Sequence, residues 1–237
     1  MPLDALLSPW PHVPESRFGT WFLGTETWAI HVLERAVADL ERLILDRRPS
    51  YGVIVDVGCG HGRSFKLLAD RFAPRRLIGI DIDPAMLSLA ASRVAEHELC
   101  VEFRVGTSSC LPLPDASVDM VFCHQTFHHL IDQEEAMREF HRVLRPGGLL
   151  LFAESTRAYI HSWIIRLLFR HPMDVQKSAE EYLAMIRAAG FALAPRAVSY
   201  PYLWWSRPDF GLAERFLGRK PPLTREETLV NAVAIRA

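Results

Sequence analysis

The feature that most constrains the fold is a glycine-rich turn between a buried strand and a helix, both predicted from the sequence. Residues 53–57 are apolar apart from Asp56, residues 58–62 read Gly-Cys-Gly-His-Gly, and a helix is expected to begin near Arg63. Glycines at alternate positions let the backbone bend tightly and approach a ligand where a Cβ atom would collide. The following helix directs free N–H groups at the turn. The pattern is typical of a nucleotide-binding site.

From residue 53 onward, predicted strands alternate with predicted helices. The strands are expected at 53–57, 77–80, 101–105, 118–123, 149–153, near 191–200 and near 229–236. Apolar strands that alternate with helices form a parallel sheet covered on both faces. Ligands then bind beyond the carboxyl ends of the strands, which directs attention to the loops that follow them.

The remaining segments carry weaker signals. Residues 1–25 are aromatic and are expected to be irregular, and apolar spacing of three and four predicts a helix over 30–44. A wide apolar face predicts another helix over 158–170. Two capping boxes are predicted, one from Asp132 with Glu135 and one from Ser178 with Glu181.

Composition excludes several classes of function. The net charge of −1 gives no electrostatic support for a nucleic-acid partner. No apolar run is long enough to span a bilayer, and the N-terminus does not resemble a secretory signal. The four cysteines lack metal-ligand spacing and are expected to be reduced thiols. We therefore expect a cytoplasmic protein.

Five motifs in order resemble those of the class I S-adenosylmethionine-dependent methyltransferases that act on small molecules. They lie at residues 55–62, 79–87, 111–119, 127–130 and 144–149. The resemblance implies a Rossmann-like α/β fold with a seven-stranded, mostly parallel sheet, an antiparallel last strand and helices on both faces. It also implies S-adenosyl-L-methionine as cofactor.

The resemblance assigns cofactor contacts along the loops after the first four strands. The glycine turn would hold the methionine portion, Asp81 the ribose and Ile82 the adenine. Thr107 and Ser108 stand where the family usually has an aspartate that contacts the adenine amino group. The predicted cofactor-binding residues are Asp56, Gly58, Cys59, Gly60, Gly62, Asp81, Ile82, Thr107, Ser108, Cys123 and His124.

Histidines after the fourth strand are the candidates for catalysis. His128 and His124 are predicted as catalytic residues because imidazole titrates near neutrality and can serve as a base. Local hydrogen bonding is the structural alternative for both. A metal site from His124, His128 and Asp132 fits by spacing, but the prediction is that no metal is bound.

A single methyltransferase domain over residues 1–237 is expected. It divides into an N-terminal aromatic segment and helix (1–50), a cofactor-binding core (51–154) and a C-terminal half with substrate-lid insertions (155–237). The predicted lid residues are Trp10, Phe18, Trp21, Trp28, Tyr159, Trp163, Tyr202, Trp204 and Trp205.

The predicted function is methyl transfer to a small organic acceptor, hydrophobic or aromatic, with oxygen or carbon favoured as the methylated atom. No nucleic-acid partner and no contact with a membrane surface are expected, and a homodimer is left open. The alternatives are an NAD(P)-dependent oxidoreductase and a non-catalytic S-adenosylmethionine-binding protein. The presence of Arg63 in place of a third fingerprint glycine weighs against the oxidoreductase.

Overall fold

A mixed sheet forms the centre of the structure, a computed structural model that describes residues 16–207, 212–218 and 224–237. Its strands within these residues are β1 (Val53–Val57), β2 (Arg76–Asp81), β3 (Val101–Val105), β4 (Val118–His124), β5 (Leu144–Ser155), β6 (Phe191–Ala192), β7 (Val198–Ser199) and β8 (Leu229–Arg236). The order is β3-β2-β1-β4-β5-β8-β6, and β7 also pairs with β8. Strands β1 to β5 are parallel, and β8 runs antiparallel to β5. The predicted Rossmann-like sheet is confirmed.

Helices cover both faces of the sheet, as predicted. They are α1 (Arg17–Leu23), α2 (Glu26–Trp28), α3 (Glu34–Leu43), α4 (Ser64–Phe72), α5 (Pro84–Glu96), α6 (Gln133–Val143), α7 (Arg157–Ile160), α8 (Trp163–Leu168), α9 (Ala179–Ala188) and α10 (Leu212–Leu217). One apolar core contains Phe140 of α6 and Tyr182 of α9, and the other contains Leu40 of α3 and Phe65 of α4. Large apolar side chains are therefore buried on both faces of the sheet.

The strand order reverses between β1 and β4, which both lie at the centre of the sheet. Asp56 of β1 pairs with Gly79 of β2 on one side and Phe122 of β4 on the other. A crevice opens at such a switch point, outside the carboxyl ends of the strands. The glycine turn after β1 and the loop after β4 therefore face each other.

The N-terminal segment is more regular than predicted. Residues 17–23 form α1, whose first turn is capped by Ser16 because Ser16 Oγ accepts the Gly19 N–H at 2.9 Å. Thr25 caps α2 in the same way, and a π-helical turn over Ala29–Leu33 joins α2 to α3. The expectation of an irregular segment was wrong for these residues, and Trp10 lies outside the described part of the chain.

The helix predicted over 158–170 is divided in two. Its halves α7 and α8 are separated by Ser162, whose backbone is extended, with a φ of −61° and a ψ of 144°. Ile160 and Ile165 are both buried. On one continuous helix their side chains would point about 140° apart, so the break brings both to the interior.

The sixth predicted strand is also divided. A 3-10 turn at Pro195–Ala197 separates β6 from β7, because proline lacks the N–H that a continuous ladder needs. The capping box predicted at Ser178 is present. The one predicted at Asp132 is wrong, since the Asp132 side chain accepts no capping hydrogen bond.

Candidate active site

Two glycines of the turn after β1, Gly58 and Gly60, differ in how closely other residues approach them. Gly58 has a φ of +75°, and a Cβ atom there would lie 2.1 Å from Cγ2 of Thr126 in the loop after β4. Gly60 has a φ of +48°, and a Cβ atom there would meet no atom of residues 16–207, 212–218 or 224–237 within 4 Å. Gly58 is therefore required for close packing of two loops, whereas the surface of Gly60 is open to a ligand.

Backbone and carboxylate contacts hold the turn against the end of β2. The N–H groups of Gly58 and Cys59 donate to Ile80 O at 2.8 and 3.2 Å. Asp81 Oδ2 accepts the Gly60 N–H at 2.8 Å, and Asp81 Oδ1 accepts the Asp83 N–H at 3.0 Å. The carboxylate predicted to hold the ribose is thus fixed beside the turn.

Two carboxyl groups give this region a negative potential when they are ionised. Burial raises the pKa of Asp56 to about 7, although Ser64 Oγ donates a hydrogen bond to it. Burial also raises the pKa of Asp81. No cationic side chain is among the described groups that shift the pKa of either carboxyl group. The site therefore favours a positively charged ligand.

A cavity of about 350 Å³ lies over the turn. Nine of the predicted cofactor-binding residues line it: Asp56, Gly58, Cys59, Gly60, Asp81, Ile82, Thr107, Ser108 and His124. The other two lie elsewhere. Gly62 packs against α5, where a Cβ atom would lie 2.8 Å from Ala90 Cβ, and Cys123 belongs to the core on the face of α6 and α9.

Arg63 connects the turn to the N-terminal helices. Its Nη1 lies 2.7 Å from Glu26 Oε1, and its Nη2 donates to the carbonyl oxygen of Gly24. The guanidinium group therefore leads away from the glycines towards α1 and α2. Through this contact the N-terminal helices form one wall of the cavity, to which Thr20 and Leu23 also contribute.

A second cavity of about 230 Å³, here called the acceptor chamber, adjoins the first. Its aromatic lining includes the predicted lid residues Phe18, Trp28, Tyr159, Trp204 and Trp205 together with Phe22 and Phe169. Tyr159 and Trp205 meet edge to face at 5.4 Å, and Trp205 Nε1 donates to His31 O at 3.0 Å. Three segments far apart in the chain thus meet around one apolar space.

Other predicted lid residues point away from the acceptor chamber. Trp21 and Trp163 are 63% and 71% exposed. Tyr202 contacts the guanidinium groups of Arg207 and Arg225, with centroid distances of 5.0 and 4.0 Å. Aromatic content alone did not separate the lining residues from these.

The two cavities share four lining residues, Leu23, Trp28, Gln125 and His129. Gln125 has a φ of +50°, a left-handed conformation that side-chain-bearing residues rarely adopt. Its N–H donates to Ala153 O at 3.0 Å, and Ser155 Oγ donates to its Oε1 at 2.6 Å. Strained residues of this kind are concentrated at functional sites. The sequence carried no signal for this role.

The two predicted catalytic histidines have different surroundings. His124 packs near Trp28 and Phe122, and burial lowers its pKa to about 3. Its Nε2 is buried without a hydrogen-bond partner among the described residues. An imidazole with such a low pKa is neutral at physiological pH and accepts a proton weakly.

His128 lines the acceptor chamber and is held by Glu154 of β5. Its Nδ1 lies 2.6 Å from Glu154 Oε2. Glu154 Oε1 accepts the N–H groups of Thr126 and Phe127 at 2.8 and 2.7 Å. One buried carboxylate therefore fixes both the loop after β4 and the orientation of His128. Sequence reasoning missed Glu154 because its partners lie more than 25 residues away in the chain.

His129 and His171 complete a cluster with His128. One ring nitrogen from each residue lies within 4.8 Å of the others. Burial, followed by the charge of His128, lowers the pKa of His171 to about 3. His171 comes from the loop after α8, so spacing along the chain could not reveal the group. The set predicted by spacing, with His124 and Asp132, is not the one that the structure brings together.

Comparison with known proteins identifies the family. A family described as a methyltransferase domain matches residues 55–152. The demethylmenaquinone methyltransferase of Deinococcus radiodurans is 30% identical over 190 residues, which cover 70% of this chain and 75% of that protein. The chain belongs to the class I S-adenosylmethionine-dependent methyltransferases. The cofactor of this family is S-adenosyl-L-methionine, as the motifs predicted.

Other relatives differ in length and in acceptor. Malonyl-[acyl-carrier protein] O-methyltransferase 1 of Coxiella burnetii is 35% identical over 126 residues, which cover 52% of this chain and 41% of that protein. The chain spans 38 to 41% of the length of three curated relatives that match it with 35 to 41% identity.

A solved methyltransferase structure supports the fold over nearly the whole chain. The S-adenosylmethionine-dependent methyltransferase of Aquifex aeolicus superposes with a TM-score of 0.64 at 17% identity, covering 92% of this chain and 97% of that one.

Among the described helices, none combines the length and apolar character required to cross a membrane.

Proposed function

We propose that this methyltransferase transfers a methyl group from S-adenosyl-L-methionine to a small apolar or aromatic acceptor, at oxygen or carbon. The observation that carries the proposal is the pair of adjoining cavities with four shared lining residues. The first, over the glycine turn, has the carboxylates that suit a cationic adenosine ligand. The second is apolar and suits an uncharged ring or chain.

The predicted cofactor-binding residues remain a proposal within this scheme. The methionine portion would lie over Gly60, which no side chain of the described part of the chain covers, and the ribose hydroxyls would approach Asp81. Thr107 and Ser108 would lie near the adenine. Gly62 and Cys123 act through packing in this proposal, since neither lines the cavity.

Methyl transfer requires alignment more than acid catalysis. The acceptor atom bonds to the methyl carbon as the carbon–sulfur bond breaks, and the electron pair of that bond moves to sulfur. The leaving thioether is neutral, so the main contribution of the protein is to hold the two reactants in line and exclude water. Gln125 and His129, at the junction of the cavities, are placed to border the transfer path.

His128 is the better of the two predicted catalytic residues. It lines the acceptor chamber, and Glu154 holds the ring in place with Oε2 at 2.6 Å from Nδ1. His124 lines the cofactor cavity and is a neutral packing residue in this proposal.

Ligand binding and product release test the proposal directly. Calorimetric titration is expected to show binding of S-adenosylhomocysteine and none of NAD. The full chain is then incubated with S-adenosylmethionine and a panel of small phenols, aliphatic alcohols and activated carbon acids, and S-adenosylhomocysteine release is measured. Binding of the cofactor with no release from any member of the panel would favour a protein that binds the cofactor without turnover.

Replacement of Trp205 tests the acceptor chamber. Trp205→Ala is expected to raise the KM for the acceptor by roughly tenfold, the loss expected when a half-buried aromatic ring that contacts the acceptor is removed. The Kd for S-adenosylhomocysteine should change by less than about twofold, since Trp205 does not line the cofactor cavity. Trp163→Ala, which removes an exposed ring of the same kind, is the matched control. Equal loss of thermal stability and cofactor binding in Trp205→Ala would instead indicate that the ring only packs the fold.

A further inference from the structure

Three histidines are gathered in the acceptor chamber: two lie in the motif at residues 127–130, and the third, His171, lies outside all five motifs. His128 and His129 belong to the 3-10 turn after β4, and His171 belongs to the loop after α8. One nitrogen from each ring lies within 4.8 Å of the others, and all three side chains line the acceptor chamber. Neutral imidazole is a common ligand of transition metals in proteins.

We propose that His128, His129 and His171 bind one divalent transition-metal ion of the zinc type in the wall of the acceptor chamber. Zinc–nitrogen bonds are about 2.0–2.1 Å long, so tetrahedral ligand atoms lie about 3.4 Å apart. Because 4.8 Å is the largest observed separation, the ring nitrogens must approach one another by at most about 1.4 Å, which side-chain rotation in a turn and a loop can supply. Three protein ligands leave a fourth position open.

The backbone that carries the histidines is already fixed. Gln176 is buried, and its Nε2 donates to His128 O at 2.7 Å and to Pro172 O at 2.8 Å. A single side chain thus joins the turn that carries two histidines to the residue that follows the third. This reduces the conformational entropy that would be lost when the rings meet around an ion.

Glu154 supplies the outer contact that metal-binding histidines usually have. Its Oε2 lies 2.6 Å from His128 Nδ1, and its side chain is fully buried. A carboxylate that accepts the Nδ1–H places the lone pair on Nε2 and makes the ring a better ligand. The donor set favours zinc, cobalt, nickel or copper over magnesium and calcium, which prefer oxygen.

A metal ion at the three histidines would favour methyl acceptors that carry a hydroxyl group. This step rests on the proposed function. A hydroxyl group in the open position would lose its proton more readily, since a bound cation lowers the pKa of a coordinated O–H. The proton passes to solvent, oxygen bonds to the methyl carbon, and the carbon–sulfur electron pair goes to sulfur. We therefore favour a phenol or alcohol over a carbon acceptor.

Cobalt(II) titration tests the metal site without reference to activity. The full chain, with any affinity tag removed and after dialysis against a chelator, is titrated with Co²⁺ while the visible spectrum is recorded. One equivalent per chain with the intense bands of tetrahedral cobalt is expected, and Zn²⁺ should displace it. Failure of the wild-type chain to bind a stoichiometric equivalent would overturn the proposal.

Single substitutions locate the ligands. His171→Ala and His129→Gln are each expected to weaken Co²⁺ binding by about 100-fold or more, and His97→Ala, at an exposed helix end, should leave it unchanged. S-adenosylhomocysteine binding and thermal unfolding report whether each variant is folded. If either His171→Ala or His129→Gln folds and keeps the wild-type cobalt affinity and spectrum, that histidine is not a ligand and the proposed three-histidine site is refuted.

Glu154→Gln gives a sharper result because it alters the proton on His128. The amide oxygen must face Thr126 and Phe127, whose N–H groups need an acceptor. The amide nitrogen then donates to His128 Nδ1, which places the ring proton on Nε2 and removes the lone pair that would bind the metal. We expect the tetrahedral cobalt spectrum to disappear while S-adenosylhomocysteine binding is kept. Retention of both would show that His128 is not a ligand.

The two proposals can fail separately. Stoichiometric cobalt binding with no product release from any acceptor would leave the metal site intact and contradict the methyl transfer. Product release from a phenol at an undiminished rate after removal of all metal by a chelator would confirm methyl transfer and refute a metal-bound acceptor.

Discussion

The cofactor region and the acceptor chamber are built in opposite ways. The cofactor cavity is formed mainly by the loops that directly follow β1 to β4, with one wall from the N-terminal helices, and backbone hydrogen bonds and a carboxylate hold its glycine turn. The acceptor chamber is formed by aromatic side chains from three distant segments. The first is specified locally by turns, whereas the second exists only after the whole chain has folded.

This difference separates what is common to the family from what is particular to this chain. A backbone cradle can serve the same cofactor in proteins with many acceptors, because it does not depend on the acceptor side chains. The acceptor chamber can change without disturbing the cradle, since four of the described lining residues are shared and the others belong to one cavity alone. Substitutions in the two regions should therefore have different signatures.

The largest effect is expected from the buried charge of the cofactor region. Asp56 has a pKa of about 7 in the fold and 3.8 in the unfolded chain. Since the folded value is raised, its contribution to stability is complete below about pH 4 and is lost as the pH rises through 7. The loss amounts to at most about 4 kcal/mol. Urea unfolding of the wild type and Asp56→Asn over this pH range measures it.

The variant Asp56→Asn should lack this decline, and the difference between the two free energies of unfolding should grow towards neutral pH. Asp70→Asn, at an exposed position on α4, serves as control. Parallel pH profiles for wild type and Asp56→Asn would contradict a buried carboxylate that ionises near neutrality. A positively charged cofactor should reduce the decline, because a cation favours the ionised form.

A second effect concerns the open surface of the glycine turn. Gly60→Ala adds a methyl group where no atom of the described residues lies within 4 Å, so the loss should appear in ligand binding. We expect the Kd for S-adenosylhomocysteine to rise about 100-fold, or about 2.7 kcal/mol. Calorimetry measures it, with the melting temperature as a check on folding.

Gly218→Ala is a matched control for the backbone. Gly218 also has a positive φ, +63°, no described residue lies within 4 Å of its Cβ position, and it is not among the described residues that line either cavity. Both substitutions carry a backbone cost of about 1–2 kcal/mol. If both variants lost the same affinity, strain and not ligand contact would explain the result at Gly60.

The cofactor region could be predicted from the sequence better than the acceptor chamber. The turn at residues 58–62, the strand that ends at Asp81 and the helices on both faces were predicted because short-range spacing encodes them. The cluster of His128 with His171 could not be, since 43 positions separate them and no local pattern requires that they meet. The break at Ser162 was missed for a related reason. Tertiary burial of Ile160 and Ile165, and not helical periodicity, decides that conformation.

The smallest predicted effect concerns the wall that the two regions share. Arg63→Ala removes the contacts to Gly24 O and Glu26 that hold α1 and α2 over both cavities. Phe18 and Phe22 of α1 line the acceptor chamber but not the cofactor cavity. We therefore expect the KM for the acceptor to rise about fivefold and the Kd for the cofactor to rise by less. Steady-state kinetics with each substrate varied in turn measures both.

Glu26→Gln separates the two contacts of Arg63. The Glu26 side chain is 77% exposed, and exposed ion pairs contribute little because water screens them. We therefore expect less than a twofold change in either constant, about the limit of detection. The hydrogen bond from Arg63 to the carbonyl oxygen of the half-buried Gly24 would then be the contact that positions α1. If Glu26→Gln instead matched Arg63→Ala, the ion pair would hold the wall, and the acceptor chamber would open with increasing salt.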